Sequence, residues 1–194
     1  MTDPNELLLE EKKLAEDQII QEMEKFDLSL AAPNDPILRE EMEKFDFSNP
    51  PVNPTLLAHI LARKCIEYNG LGLSCNQLMG LPYRACIIKA QPMICMFNPV
   101  IVAESEESEY LEEGCLTFPN FLIKIKRPIV IRVRYTEPNG NTLTNRYEGM
   151  TARIIHHEID HLNGILFSDR ATIYHLEQAR NRKRKYDRRT KKIL

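Results

Sequence analysis

No two cysteines in this sequence are spaced C-x-x-C, and the five present, Cys65, Cys75, Cys86, Cys95 and Cys115, are odd in number. The first absence excludes a four-cysteine zinc module, and together they argue against a disulfide framework. Most of these thiols are expected to pack as small apolar residues. No apolar run approaches the roughly 18 residues that a bilayer-spanning helix needs, so no membrane association is expected. The stretch from Met1 to Asp17 has neither the basic n-region nor the apolar h-region of a secretory signal, which makes the cytoplasm the expected location. Gly70-Leu71-Gly72 has no third glycine to complete a dinucleotide fingerprint, and no Gly-Lys-Ser/Thr marks a phosphate-binding loop.

What is present fits one ordinary domain with appendages. The chain has 194 residues, of which 43% are hydrophobic, enough for a normal core. The net charge of −2 hides an asymmetry. Residues 180–194 carry nine basic side chains and one acidic, Asp187, which leaves 17 basic and 27 acidic elsewhere, a net of −10. A basic tail on an acidic body can reach an anionic partner such as RNA, or simply solvate the end of a helix.

Residues 5–27 read as an amphipathic helix. The string Glu22-Met23-Glu24-Lys25-Phe26-Asp27 recurs as Glu41-Met42-Glu43-Lys44-Phe45-Asp46, too few copies for a solenoid. Asn53-Pro54-Thr55 is a helix start. Leu56, Leu57, Ile60, Leu61 and Cys65 then give an apolar stripe to about Asn69, with Gly70 as the stop. The middle predicts strands over 85–89, 94–102, 121–125 and 129–135, the last with period-2 alternation. Asn139-Gly140 is a hairpin turn signal ahead of a strand over 142–147. A helix over about 150–163 stops at Gly164, and a last helix begins near Ile173. The order is that of an α+β fold.

The chemistry concentrates in His157-Glu158-Ile159-Asp160-His161. Two histidines four apart share one helix face and can converge on one metal while the intervening glutamate reaches its water. The other reading is a solvated face. Ile154, Ile155 and Leu162 make this helix core-facing, and buried ionisable groups need a reason. Such a site wants a third protein ligand. The zinc-protease pattern that continues with Gly-x-x-His fails here, because Phe167 stands at the histidine position. Glu177 lies further on, in what reads as surface helix. Upstream, Cys115 in Glu113-Gly114-Cys115-Leu116-Thr117 ends an acidic loop, and spacing leaves it open between thiolate ligand and core packing. Gly70 to Gln77 places two glycines where a chain must pass close to a ligand, with an amide at Gln77.

Together the segments Gly70-Leu71-Gly72-Leu73-Ser74-Cys75-Asn76-Gln77, Glu113-Gly114-Cys115-Leu116-Thr117 and His156-His157-Glu158-Ile159-Asp160-His161 resemble, in order and interval, those of the peptide deformylase family. Asp35-Pro36-Ile37-Leu38-Arg39 resembles its usual start. The resemblance implies antiparallel β-sheets wrapped around a central metal-binding helix, with a C-terminal helix and, here, an N-terminal helical extension. It divides the chain into 1–30, an extension; 31–180, a catalytic domain; and 181–194, a basic tail. It implies Cys115, His157 and His161 as ligands of one divalent metal, Fe(II) or Zn(II), with Ni or Co as substitutes. Glu158 is then the proton carrier, and Gln77 with the backbone N–H of Leu116 supports the oxyanion. Gly72, Leu71, Leu111, Glu113, Met150, Arg153, Ile154 and His157 are implied to contact substrate.

The implied reaction is removal of formate from N-formylmethionine on nascent peptides, and the basic tail suggests ribosome contact. This chain departs from the family pattern at Ser74, Cys75, Thr117 and His156. It also has Leu122 where many members carry arginine, and Arg153 where an apolar residue is common. Rival readings are an endopeptidase, a non-catalytic binding protein on the same scaffold, and a Cys115 nucleophile that needs no metal.

Overall fold

Asn53 opens the first helix through its side chain. Its Oδ1 accepts from the N–H groups of Thr55 and Leu56, with Pro54 in the first turn. The helix, α1, runs Pro54–Glu67 and buries the expected stripe of Leu56, Leu57, Ile60, Leu61 and Cys65. It ends two residues before the expected Asn69. The left-handed residue is Asn69, and the Gly70 N–H then returns to the Cys65 carbonyl at 2.8 Å.

The computed structural model describes residues 28–78 and 81–190. The helix expected over 5–27 and the first Glu-Met-Glu-Lys-Phe-Asp copy lie outside them. In the second copy Met42 and Phe45 are buried in different clusters of the core.

The chain then forms seven strands: β1 (Gly72–Ser74), β2 (Ala85–Ile88), β3 (Ile94–Glu104), β4 (Ser108–Cys115), β5 (Phe118–Pro128), β6 (Val130–Thr136) and β7 (Thr142–Glu148). Five form one antiparallel sheet in the order β1-β2-β3-β6-β7, and β4 and β5 form a second, two-stranded sheet. Strand β6 buries Ile131, Val133 and Tyr135 and exposes Arg132 and Arg134, as its alternation predicts. The turn at Asn139-Gly140 closes the β6–β7 hairpin, with the Gly140 N–H on the Glu137 carbonyl at 2.9 Å.

Two elements depart from the sequence reading. Strand β1 has three residues, too short to show a period. The acidic run before Cys115 is not a loop but strand β4, paired with β5 from Ser108↔Pro128 to Cys115↔Phe118. Its acids are tolerated because most project outward, while Glu113, which is buried, meets two arginines.

Helix α2 (Gly149–Leu162) touches β1, β2, β6 and β7 of the larger sheet and β5 of the smaller. Ten of its fourteen residues are buried, including every one from Ile155 to Leu162. Its C-terminal carbonyls are met from three directions. Asn76 Nδ2 donates to His161 O at 2.6 Å, and Arg84 Nη1 and the Met42 N–H donate to Leu162 O at 3.1 and 2.9 Å. Gly164 stops the helix at φ +69, and a Cβ there would stand 2.4 Å from the Arg39 carbonyl oxygen. Helix α3 (Ile173–Thr190) packs on β5, where Ala179 and Leu176 join Ile123, Ile125 and Phe167. Among the described residues no helix is long and apolar enough to cross a membrane.

Candidate metal centre and substrate cavity

One turn of helix α2 separates His157 from His161, and their rings meet edge to face with centroids 4.9 Å apart. Cys115 reaches them from the other sheet. The β4–β5 register slips between Glu113 and Cys115, a bulge that re-aims the strand's last side chain. The Cys115 Sγ comes to 3.2 Å from His161 Nε2, and one donor atom from each of Cys115, His157 and His161 lies within 4.8 Å of the others. A thiolate and two imidazoles suit zinc and other borderline first-row ions. The other four cysteines are buried, and burial pushes the Cys65 and Cys95 thiols up to about 11 and about 12.

The three residues fit a metal on independent observations. Buried polar atoms are normally paired. Among the described residues, Glu158 Oε2, next to His157 in sequence, is buried and has no hydrogen-bond partner. Glu158 lies beside the donor set, and burial pushes its carboxyl up to about 7. Burial pulls both of these imidazoles down, but they end on opposite sides of their usual value. His157 is carried up to about 10 by hydrogen bonds to Cys115 and Glu113, while His161 stays well below its ordinary range. Metal binding needs both rings neutral.

Buried charge orders this group. Arg127 grips Glu113 with both ends of its fork, Nε to Oε1 at 2.7 Å and Nη2 to Oε2 at 2.9 Å. Its third nitrogen donates to Asp160 Oδ2 at 2.6 Å, and Arg170 closes on Asp160 Oδ1 at 2.6 Å. Glu113 Oε2 in turn holds His157 Nδ1 at 3.1 Å. Burial opposes ionisation of Glu113, but the Arg127 and His157 contacts hold its carboxyl well below the usual range. His156, adjacent in sequence, points elsewhere. It sits 3.6 Å from Glu104 and outside the donor set, and burial lowers it to about 4.

A cavity of about 610 Å³ opens beside the cluster, within the usual range for small-ligand sites. Of the residues named from sequence, Leu71, Gly72, Gln77, Glu113, Cys115, Leu116, Met150, Arg153, Ile154, His157 and Glu158 line it. His161 lies behind, and Leu111, also implied to contact substrate, is not among the residues that line it. Glu113 and Arg153 need qualifying as substrate contacts. The carboxylate of Glu113 is spent on Arg127, Arg153 and His157, and Arg153 is buried on Glu113 and two backbone carbonyls. Gly72 is required by contact, since a Cβ there would stand 2.5 Å from Glu158 Oε1. Gln77 is held by Ser74, whose N–H and hydroxyl donate to its Oε1 at 3.1 and 3.0 Å. That directs Nε2 at Cys115 Sγ, 3.3 Å away, and Thr117 Oγ1, 3.2 Å away.

The sequence reading missed Arg127, the supporting Asn76, and the wall formed by Leu30, Tyr68, Asn69 and 118–121. Arg127 did leave a signal. It occupies the inward register of Ile123 and Ile125, where a lone charge asks for a buried partner.

Residues 27–177 match the Polypeptide deformylase family. A peptide deformylase from Rhizobium meliloti is 33% identical over 142 residues, which cover 70% of this chain and 79% of that protein. Among solved structures, a peptide deformylase from Synechococcus elongatus in complex with actinonin superposes with a TM-score of 0.71 at 29% identity, covering 79% of this chain and 84% of that one. A Plasmodium falciparum peptide deformylase in complex with an inhibitor gives 0.72 at 30% identity, covering 82% and 99%.

Proposed function

The chain belongs to the polypeptide deformylase family, and from that premise we propose that it is a metal-dependent hydrolase that removes the formyl group from N-formylmethionine on new polypeptides. One observation carries the assignment to these residues. Cys115, His157 and His161 converge within 4.8 Å, with the buried Glu158 carboxylate, whose Oε2 has no hydrogen-bond partner, beside them and one peptide-sized cavity in front.

Cys115, His157 and His161 would hold one divalent ion, Fe(II) or Zn(II), with Ni or Co able to substitute. When bound, such an ion lowers the pKa of a water towards about 7 and polarises the amide carbonyl. The chain's own residues do the rest. Glu158, with a carboxyl poised near neutrality, takes a proton from the attacking water and delivers one to the departing amine as the C–N bond breaks. Formate and a free amino group are the products. The Gln77 amide and the Leu116 backbone N–H support the negative charge on the former carbonyl oxygen, a contribution of about 3–4 kcal/mol per donor. Gly72 leaves room for Glu158 and for a peptide backbone. Leu71, Met150 and Ile154 supply apolar wall for the methionine and the residue after it. Glu113 orients His157 from behind.

Residues 31–180 are the catalytic unit in this reading, and the natural substrates are nascent formylmethionyl chains in the cytoplasm. Helix α3 presents Arg180, Arg182, Arg184, Lys185, Arg188 and Arg189, and we assign the basic C-terminal segment 181–194 to ribosome contact. Unchanged co-sedimentation with ribosomes after deleting 180–194 would remove that assignment.

The test of the main reading is formate release from formyl-Met-Ala-Ser by protein purified without oxygen, with metal measured on the same sample. Release with about one metal per chain, abolished by chelation, is the expected result. Bound metal without formate release would refute the deformylase reading, and no metal would refute the site.

A further inference from the structure

Glu113 needs one cation to be buried, and in Arg127 it already has a two-pronged one. Yet a second guanidinium, that of Arg153, is buried against the same carboxylate, with Nη1 2.7 Å from Glu113 Oε1. Taking another charge out of water is unfavourable, so neutralising Glu113 does not explain it. The other contacts of Arg153 do. Its Nη1 also donates to Ile125 O at 3.1 Å, and its Nη2 to Glu109 O at 2.8 Å. One side chain from helix α2 therefore spans both strands of the sheet that ends in Cys115.

Its place on the helix matters equally. Arg153 stands four residues before His157, on the same face. The two share one carboxylate, Arg153 on Oε1 and His157 Nδ1 on Oε2. Beyond His157, Asp160 is tied to Arg127 at 2.6 Å. The helix is thus fastened to the small sheet one turn before His157 and again three residues after it. His161 adjoins the second fastening, and its carbonyl is held by Asn76. Releasing the first fastening frees His157 far more than His161.

Resting on the metal-site reading above, we propose that Arg153 is a positioning residue that sets the distance between the His157 end of the ligand set and the strand bearing Cys115. It acts through Glu113 and the carbonyls of Glu109 and Ile125, and it does not touch the reacting atoms.

The experiment compares cobalt-loaded wild type, Arg153→Met and Arg153→Lys. It reads the rate of cobalt release to a chelator, the visible absorption spectrum of the bound cobalt, and KM and kcat separately. Loss of a group that orients a metal ligand lowers metal affinity by about 10- to 100-fold. Arg153→Met should release cobalt faster by that factor, with an altered cobalt spectrum, while Arg153→Lys falls between. Release rate and spectrum equal to wild type in a folded Arg153→Met protein would overturn the proposal. So would a change confined to KM, which would make Arg153 cavity wall. Should Arg153→Met fail to fold, Arg153→Lys decides alone, because one ammonium cannot span three acceptors. Faster release supports the proposal, and wild-type release overturns it. A wild type that takes up no cobalt would instead refute the metal-site reading itself.

Discussion

Replacing Gly72 by alanine should remove activity while leaving the metal in place. Residue 72 lies in β1 directly against the Glu158 carboxylate. A Cβ there would stand 2.5 Å from Glu158 Oε1, 2.9 Å from its Cδ and 2.8 Å from Ile154 Cγ2. Ordinary contacts begin near 3.5 Å, so the carboxylate must retreat by roughly 1 Å. A displacement of that size at a reacting group costs on the order of 10²-fold in rate. Overpacking should also lower stability by about 1–3 kcal/mol. Since Glu158 is not in the donor set, metal content should not change. The assay is formate release under saturating peptide, with metal content and thermal unfolding on the same preparation. The expected result is kcat reduced about 100-fold with one metal per chain retained. A Gly72→Ala protein with kcat within twofold of wild type would refute the placement of Glu158 as the proton carrier held by this contact.

Glu158→Gln keeps the shape and removes the base, so kcat should fall by about 10²–10⁴ with metal content unchanged; near-normal turnover would exclude the proposed role. Cys115→Ala should lose metal during dialysis at concentrations where wild type keeps it, and equal retention would remove the thiolate from the ligand set. Arg127→Met leaves Glu113 and Asp160 short of their shared cation and should destabilise by about 3–5 kcal/mol in urea unfolding; a loss below about 1 kcal/mol would mean the network is solvated. Stripping the metal with a chelator should lower Tm, and re-adding it should restore Tm, because an ion that binds only the folded chain stabilises it. An unchanged Tm with the metal gone would show that the ligands do not couple to folding.

Local patterns were readable and long-range ones were not. Helix α1 showed itself because Asn53 caps, Pro54 fits the first turn and five apolar residues repeat at helical spacing. His157 and His161 were legible because four residues is one turn. Strand β4 was misread because its charges, taken locally, indicate solvent. What permits Glu113 inside is the two-pronged contact from Arg127, fourteen residues away on the neighbouring strand. Cys115 could not be separated from the other four cysteines by spacing, and the bulge beside Gly114 is what turns it towards the histidines.

The closure at the end of helix α2 has a consequence for how the protein is made. The last carbonyls of that helix are met by Met42, Asn76 and Arg84, and Gly164 nests against the backbone of Arg39. These partners are separated from the helix by 78 to more than 120 positions. During synthesis the Met42 N–H, the Asn76 amide and the Arg84 guanidinium must therefore wait for these carbonyls until the histidine helix has left the ribosomal tunnel. Contacts of such high order form late. Metal capture should then be among the last events of maturation, and chains truncated before about residue 165 should accumulate as ion-free, protease-sensitive species.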